Sequence, residues 1–84
     1  MPEELVGKVT DYFGKIGVAA INLSGTLKVG DKIHVQGHTT DFEQTVDSMQ
    51  VEHQGVMEAG PGSSIGIKVK DHCRHNDSVF RITP

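Results

Sequence analysis

The feature that most constrains this chain is a period of two that recurs along most of its length, with no helical period competing. "DKIHVQG" (31–37) puts Ile33 and Val35 on one side of an extended chain and Lys32, His34 and Gln36 on the other. "SIGIKVK" (64–70) does the same, with Ile65, Ile67 and Val69 inward and Gly66, Lys68 and Lys70 outward. Successive side chains of a strand point to opposite faces, so this alternation is what a half-buried strand requires. Four further runs read as strands. In "LVGKVTDYF" (5–13) Leu5, Gly7, Val9 and Phe13 share one face, and Lys8, Thr10 and Tyr12 the other. "IGVAAINL" (16–23) is a more continuous apolar run of β-compatible length. "DFEQTVDSMQV" (41–51) starts with Phe42, Gln44 and Val46 inward, then switches parity at Met49 and Val51, which predicts a β-bulge near Asp47-Ser48. "DSVFRIT" (77–83) places Phe80 and Ile82 together. "MQVEHQGVMEAG" (49–60) reads as an irregular connection because Gly55, Val51 and Val56 argue against a helical turn.

Turn signals separate these runs: Gly14, Ser24-Gly25, Gly30-Asp31, Gly37-His38, Gly60-Pro61-Gly62 and Asn76-Asp77. Six short strands with little helix predict an all-β fold, a small six-stranded closed barrel, because closure removes the edges that an open sheet exposes. A chain of 84 residues has room for one core, so residues 1–84 are expected to form a single domain, with "MPEE" frayed at its start.

Bulk chemistry narrows the functional classes. A hydrophobic fraction of 36% with 23% charged residues is that of a soluble globule. No apolar run approaches the ~20 residues that span a bilayer, and "MPEELVGKV" has acids where a secretory leader has basic residues. One cysteine, Cys73, cannot form an internal disulfide. These features lead us to expect a cytoplasmic protein. Eight basic against eleven acidic residues give a net charge of −3, so binding to phosphates would need a local patch.

"SGTLKVGDKI" (24–33) carries the most specific turn chemistry. Gly25 and Gly30 are turn residues. Gly30 is suited to a positive φ just ahead of a strand, and Asp31 can accept a hydrogen bond from a turn N–H. Leu27 and Val29, two residues apart, are expected to plug the barrel end while Lys28 faces solvent.

This stretch resembles a known family. "GVAAINLSGTLKVGDKIHV" (17–35) is similar to the second-domain β-barrel of translational GTPases, the elongation factor Tu and initiation factor two type, with a glycine-led strand, a Gly–apolar–Lys–x–Gly–Asp turn and an alternating strand. "VMEAGPGSSIGIKV" (56–69) resembles that domain's Ala-Gly strand entry, and Met49-Gln50 follows its fourth-strand pattern. The resemblance spans about residues 5–82 and implies a Greek-key-type barrel of the translation-factor domain 2 type. It also implies contact with the aminoacyl end of tRNA or with ribosomal RNA. Two departures limit the inference. No G-x-x-x-x-G-K-[ST] loop is present, so this chain has no GTP site. The Gly-Arg-Gly that heads the family's second strand reads Lys15-Ile16-Gly17 here, and Lys15 is a point charge without arginine's fork.

The residues themselves indicate no enzyme and no cofactor. "DHCRHND" (71–77) groups His72, Cys73 and His75, which would share a metal only on a helical turn, and we expect a polar loop there instead. His34, His38 and His53 are scattered, and the pairs Glu3/Glu4 and Asp41/Glu43 read as solvated surface. The basic residues that a partner would meet are Lys15, Lys28, Lys32, Lys68, Lys70 and Arg74. The leading expectation is therefore a non-enzymatic translation-factor-like module that contacts tRNA, ribosomal RNA or the ribosome. The alternative is a protein–protein adaptor or small accessory subunit of a larger enzyme.

Overall fold

The structure, a computed structural model, describes residues 3–38, 40–52 and 54–82. Among them ten strands form: β1 (Glu3–Phe13), β2 (Val18–Leu23), β3 (Leu27–Lys28), β4 (Lys32–Gln36), β5 (Asp41–Thr45), β6 (Met49–Val51), β7 (Gln54–Val56), β8 (Glu58–Ala59), β9 (Ser64–Lys68) and β10 (Ser78–Ile82). Eight make one antiparallel sheet in the order β5-β4-β10-β1-β2-β9-β6-β7, and β3 pairs separately with β8. The all-β expectation stands. The closed six-stranded barrel does not, because the eight-stranded ladder ends at two edges, β5 and β7.

Four strand assignments change with it. Glu3 and Glu4 belong to β1 and pair with Ile82 and Arg81, so the start of the chain is not frayed from Glu3 onward; Met1 and Pro2 lie outside the described residues. β1 carries two irregularities, between Leu5 and Gly7 against β10 and between Val9 and Asp11 against β2. The first puts Val6 in the core and leaves Leu5 47% exposed; the second turns Tyr12 toward the core and Phe13 outward. Each extra residue flips the face of everything beyond it. Gly7 sits at the first irregularity, where an added Cβ would lie 2.8 Å from the Asn22 carbonyl oxygen and 2.9 Å from Ile21 Cγ2. In β10 Phe80 and Ile82 share a face, as expected, and that face is partly exposed, while Val79 on the other is fully buried.

The parity switch at Asp47-Ser48 is not a bulge. There the chain leaves β5, which pairs with β4, and crosses to β6, which pairs with β9 through Met49↔Ile67 and Gln50↔Gly66. Residues 49–56 are not irregular either: β6 and β7 form a hairpin, Met49↔Val56 to Val51↔Gln54, with Glu52 at φ 53°.

The sheet wraps around a core of Val6, Val9, Ile21, Leu27, Ile33, Val35, Met49, Ile67 and Val79. The turn after β3 holds one end of that core. Gly30 adopts φ 97°, Asp31 N donates to Lys28 O, and Lys28 N donates to Asp31 Oδ2 at 3.0 Å. Gly30 N and Val46 N then donate to Val46 O and Asp31 O. Leu27 is fully buried, Val29 packs against the core, and Lys28 is exposed, as expected of a plug. Gly25 serves by close approach, since its N–H donates to Val6 O and an added Cβ would sit 3.3 Å from Val6 Cγ1.

Where the ladder stops, a side chain continues it. Gln44 of β5 donates through Nε2 to Lys68 O and accepts from Lys70 N through Oε1, both at 2.8 Å. Its amide thus imitates a peptide group between β5 and the end of β9. Gln44→Ala is expected to cost about 1–3 kcal/mol of unfolding free energy. Gln44→Glu is expected to cost a similar amount despite its shape, because a carboxylate cannot donate to Lys68 O. Urea denaturation with amide exchange at Lys70 measures both; unchanged midpoints would show that the bridge adds nothing.

Candidate functional site

Three regions gather side chains that can bind or react. The first is a polar cluster on the outer face of β1, β4 and β5. The register sets His34 opposite both Phe80 and Glu43, and Glu3 reaches the same place from the start of β1. Glu3 Oε2 lies 2.9 Å from His34 Nδ1, and Asp41 Oδ1 lies 2.5 Å from His34 Nε2. Phe80 covers the imidazole with ring centroids 6.2 Å apart, and the His34 side chain is only 13% exposed. Lys32 Nζ approaches Glu43 at 3.5 Å. His34 stands on the outward face and Glu3, Glu4, Asp41 and Glu43 are exposed, as expected; what the alternation did not show is that Glu3 and Asp41 both meet His34. Side chains two apart on β5, together with one from β1 and one from β4, converge because all four point to the same sheet face. A period-two reading places His34, Asp41 and Glu43 on that face but puts Glu3 on the opposite face with Leu5, and it cannot pair β1 with β4, which are separated in the sheet by β10.

A neutral imidazole has one N–H and one lone pair, so it satisfies only one of two flanking carboxylates. The hydrogen bond that Asp41 accepts raises the His34 pKa above its ordinary value; burial opposes this, and Glu3 adds to it.

The second region is the loop before β10. Cys73 is buried, and burial pushes its thiol up to about 11, with Asp77 and Asp71 acting in the same direction. Its Sγ contacts only Asp71 O, at 3.8 Å, among the described hydrogen-bond partners. His72 is exposed and meets Tyr12 edge-on at 4.5 Å, and His75 is exposed, so the three candidate ligands of this loop do not converge. Tyr12 is half-buried against the core rather than projecting as an open stacking surface. His53 lies outside the described residues.

The third region comprises the basic residues, which divide into groups. Val18 pairs with Lys68 and Val69 N donates to Gly17 O, which brings Lys15, Lys68 and Lys70 to the β1–β2 turn end of the sheet. Lys28 and Lys32 belong to the turn reached from the opposite end of β2; Lys28 stands across from Glu58, and Lys32 is paired with Glu43. Arg74 is exposed in the loop before β10, its backbone N–H held by Asp77 Oδ2. The same β1–β2 turn exposes large apolar side chains, Phe13 at 48% and Ile16 at 63%. With Val18, Ala20 and Ile65 they line a groove of about 360 Å³, rimmed by Gln50 and Glu52.

The wrapped sheet, its glycine-led β2 and its Gly30-Asp31 turn correspond to one family model, elongation factor Tu domain 2, which matches residues 18–72. The chain belongs to the elongation factor Tu domain 2 family. Its sequence relatives include a translation factor, elongation factor 1-alpha of Archaeoglobus fulgidus, 33% identical over 78 residues and covering 82% of this chain and 18% of that protein, but proteases match at higher identity. It is 38% identical over 76 residues to an uncharacterized protease of Methanocaldococcus jannaschii, covering 89% of this chain and 19% of that protein. It is 40% identical over 78 residues to a collagenase of Porphyromonas gingivalis, covering 90% of this chain and 22% of that protein. The chain therefore spans about a fifth of the length of these relatives. Its fold matches the C-terminal domain of a Geobacillus thermoleovorans protein named as a U32 peptidase, with a TM-score of 0.89, 20% identity, and coverage of 95% of this chain and 93% of that one. These relatives overturn the expectation of a translation-factor-like module that contacts RNA. The family resemblance was right about the fold; the functional reading drawn from it is the part that falls. Among the described residues no helix is long and apolar enough to cross a membrane.

Two measurements follow from this geometry. Because the folded pKa of His34 is raised, its contribution to stability is fully present below its unfolded value of 6.5 and is lost as pH rises through the folded value. With EDTA present, the urea midpoint of the native chain is expected to fall relative to that of His34→Gln as pH rises from below 6.5 through the raised folded value; parallel curves would rule this out. Cys73 is expected to react with a disulfide reagent at neutral pH roughly a hundredfold or more slowly than an unfolded cysteine, from thiolate fraction alone. Equal rates in native and urea-unfolded protein would contradict its buried, protonated state.

Proposed function

We propose that this chain is a non-catalytic accessory domain that works beside the catalytic part of a U32-type peptidase. The observation that carries the reading is the combination of 38–40% identity over nine-tenths of this chain with the small share of those proteases that it spans. The chemistry is compatible with that division of labour. Its one thiol is buried and held protonated, and among the described residues Cys73 has no hydrogen-bonded imidazole to activate it.

The groove at Phe13 and Ile16 is the surface we assign to this role, with the peptidase's catalytic part as its occupant. Two large apolar side chains, 48% and 63% exposed on adjoining turns of backbone, are a contact surface rather than a solubility device. The relatives carry about four-fifths of their length beyond the matching segment, which is where the covering partner would lie.

The chain expressed alone is expected to hydrolyse neither gelatin nor casein above the buffer rate. Turnover that scales with protein and disappears in Cys73→Ser would overturn the non-catalytic reading. Tagged protein in a lysate of its own host is expected to retain a U32-type peptidase after nuclease treatment. Phe13→Asp with Ile16→Asp is expected to weaken that capture at least about tenfold while leaving the melting curve unchanged. Capture that nuclease abolishes, or that the double variant leaves intact, would count against the assigned surface.

A further inference from the structure

We propose that Glu3, His34 and Glu43 form a binding site for a first-row divalent cation of the zinc class. The proposal does not depend on the accessory-domain reading. It starts from the two nitrogens of one imidazole. Asp41 Oδ1 stands 2.5 Å from Nε2, and the Glu3 carboxylate faces Nδ1 with its oxygens 2.9 and 3.2 Å away. In the tautomer whose N–H points to Asp41, the Nδ1 lone pair and the Glu3 carboxylate are two acceptors face to face, an arrangement that a cation between them satisfies.

Geometry favours a cation site as well as a proton. One ligand atom from each of Glu3, His34 and Glu43 lies within 4.8 Å of the others. Atoms bound tetrahedrally at about 2.0–2.1 Å are separated by about 3.4 Å, so small side-chain adjustments complete the set. The three ligands come from β1, β4 and β5, whose backbones are held by the sheet, and His34 is further held by Phe80. A carboxylate on the non-ligating nitrogen is the usual outer support of a metal-bound histidine, and Asp41 occupies that position. The exposed side of the cluster leaves room for water as a fourth ligand.

Donor chemistry selects the metal. One imidazole nitrogen with carboxylate oxygens suits zinc and its first-row neighbours, whereas calcium and magnesium prefer oxygen alone. Charge agrees: with His34 neutral, Glu3, Asp41 and Glu43 bring three negative charges and Lys32 one positive, a surplus for a dication to neutralise. Lys32 must release Glu43 on binding, and its exposure makes that inexpensive.

Calorimetric titration of the metal-free chain with zinc chloride tests this, with cobalt chloride as a spectroscopic probe. One equivalent is expected to bind, with d–d absorption of low-coordinate cobalt. His34→Gln and Glu43→Gln are each expected to weaken binding at least about tenfold, by comparison with the effect of losing outer-shell partners elsewhere. The double variant His72→Ala with His75→Ala is expected to bind as the native chain does. In NMR spectra zinc should move the His34 ring signals and leave those of His72 in place. Absence of saturable one-to-one binding, or binding that survives His34→Gln but is lost with His72 and His75, would overturn the site. The cluster would then be a protonated histidine clamp only.

Discussion

A single sheet of short strands has no second layer to cover its apolar face, so it must wrap around that face, and the rest of this structure depends on that constraint. The wrapping demands sharp local bends, which the double irregularity of β1 supplies, and one place where backbones nearly touch, which Gly7 allows. It also leaves an end to be stoppered. Leu27 does so from β3, a two-residue strand outside the main sheet whose position is set by Gly30, Asp31 and Val46. At the seam, where strands diverge too far for a ladder, the Gln44 amide substitutes for the missing peptide group.

Much of this was legible from residues alone, and the exceptions share a cause. Ile33, Val35, Ile65, Ile67 and Val69 are buried where alternation put them, because β4 and β9 run without interruption. The Gly30-Asp31 turn was equally clear, since positive φ and a side chain that caps a turn N–H are local properties. Leu5 and Phe13 were misassigned because one unpaired residue reverses every side chain beyond it. The parity switch at Asp47-Ser48 was seen but misread. A bulge and a crossover to another strand produce the same pattern along the chain, and they differ only in which neighbour the second half meets.

The function shows a different limit. The glycine-led strand and the turn after it name the family correctly, because those residues solve the bending and plugging problems that every member of the fold shares. For the same reason they say nothing of the partner. Family membership is compatible with translation and with proteolysis, and the chain is 38–40% identical to a protease and a collagenase against 33% to an elongation factor. The absent arginine before Gly17 was the one local departure that pointed away from the family's RNA contacts.

By itself, the sequence determined that this protein is all-β, that it turns at Gly30-Asp31, and that most of its alternating apolar residues face one core. These follow from backbone stereochemistry and from a period that any extended chain obeys. Only the tertiary structure decided that Glu3, His34, Asp41 and Glu43 meet, that Cys73 is hidden from its neighbouring histidines, and that Phe13 and Ile16 are left uncovered. Those outcomes depend on which strands become neighbours across the sheet and on how far it curls, and both are set by packing between residues distant in the chain.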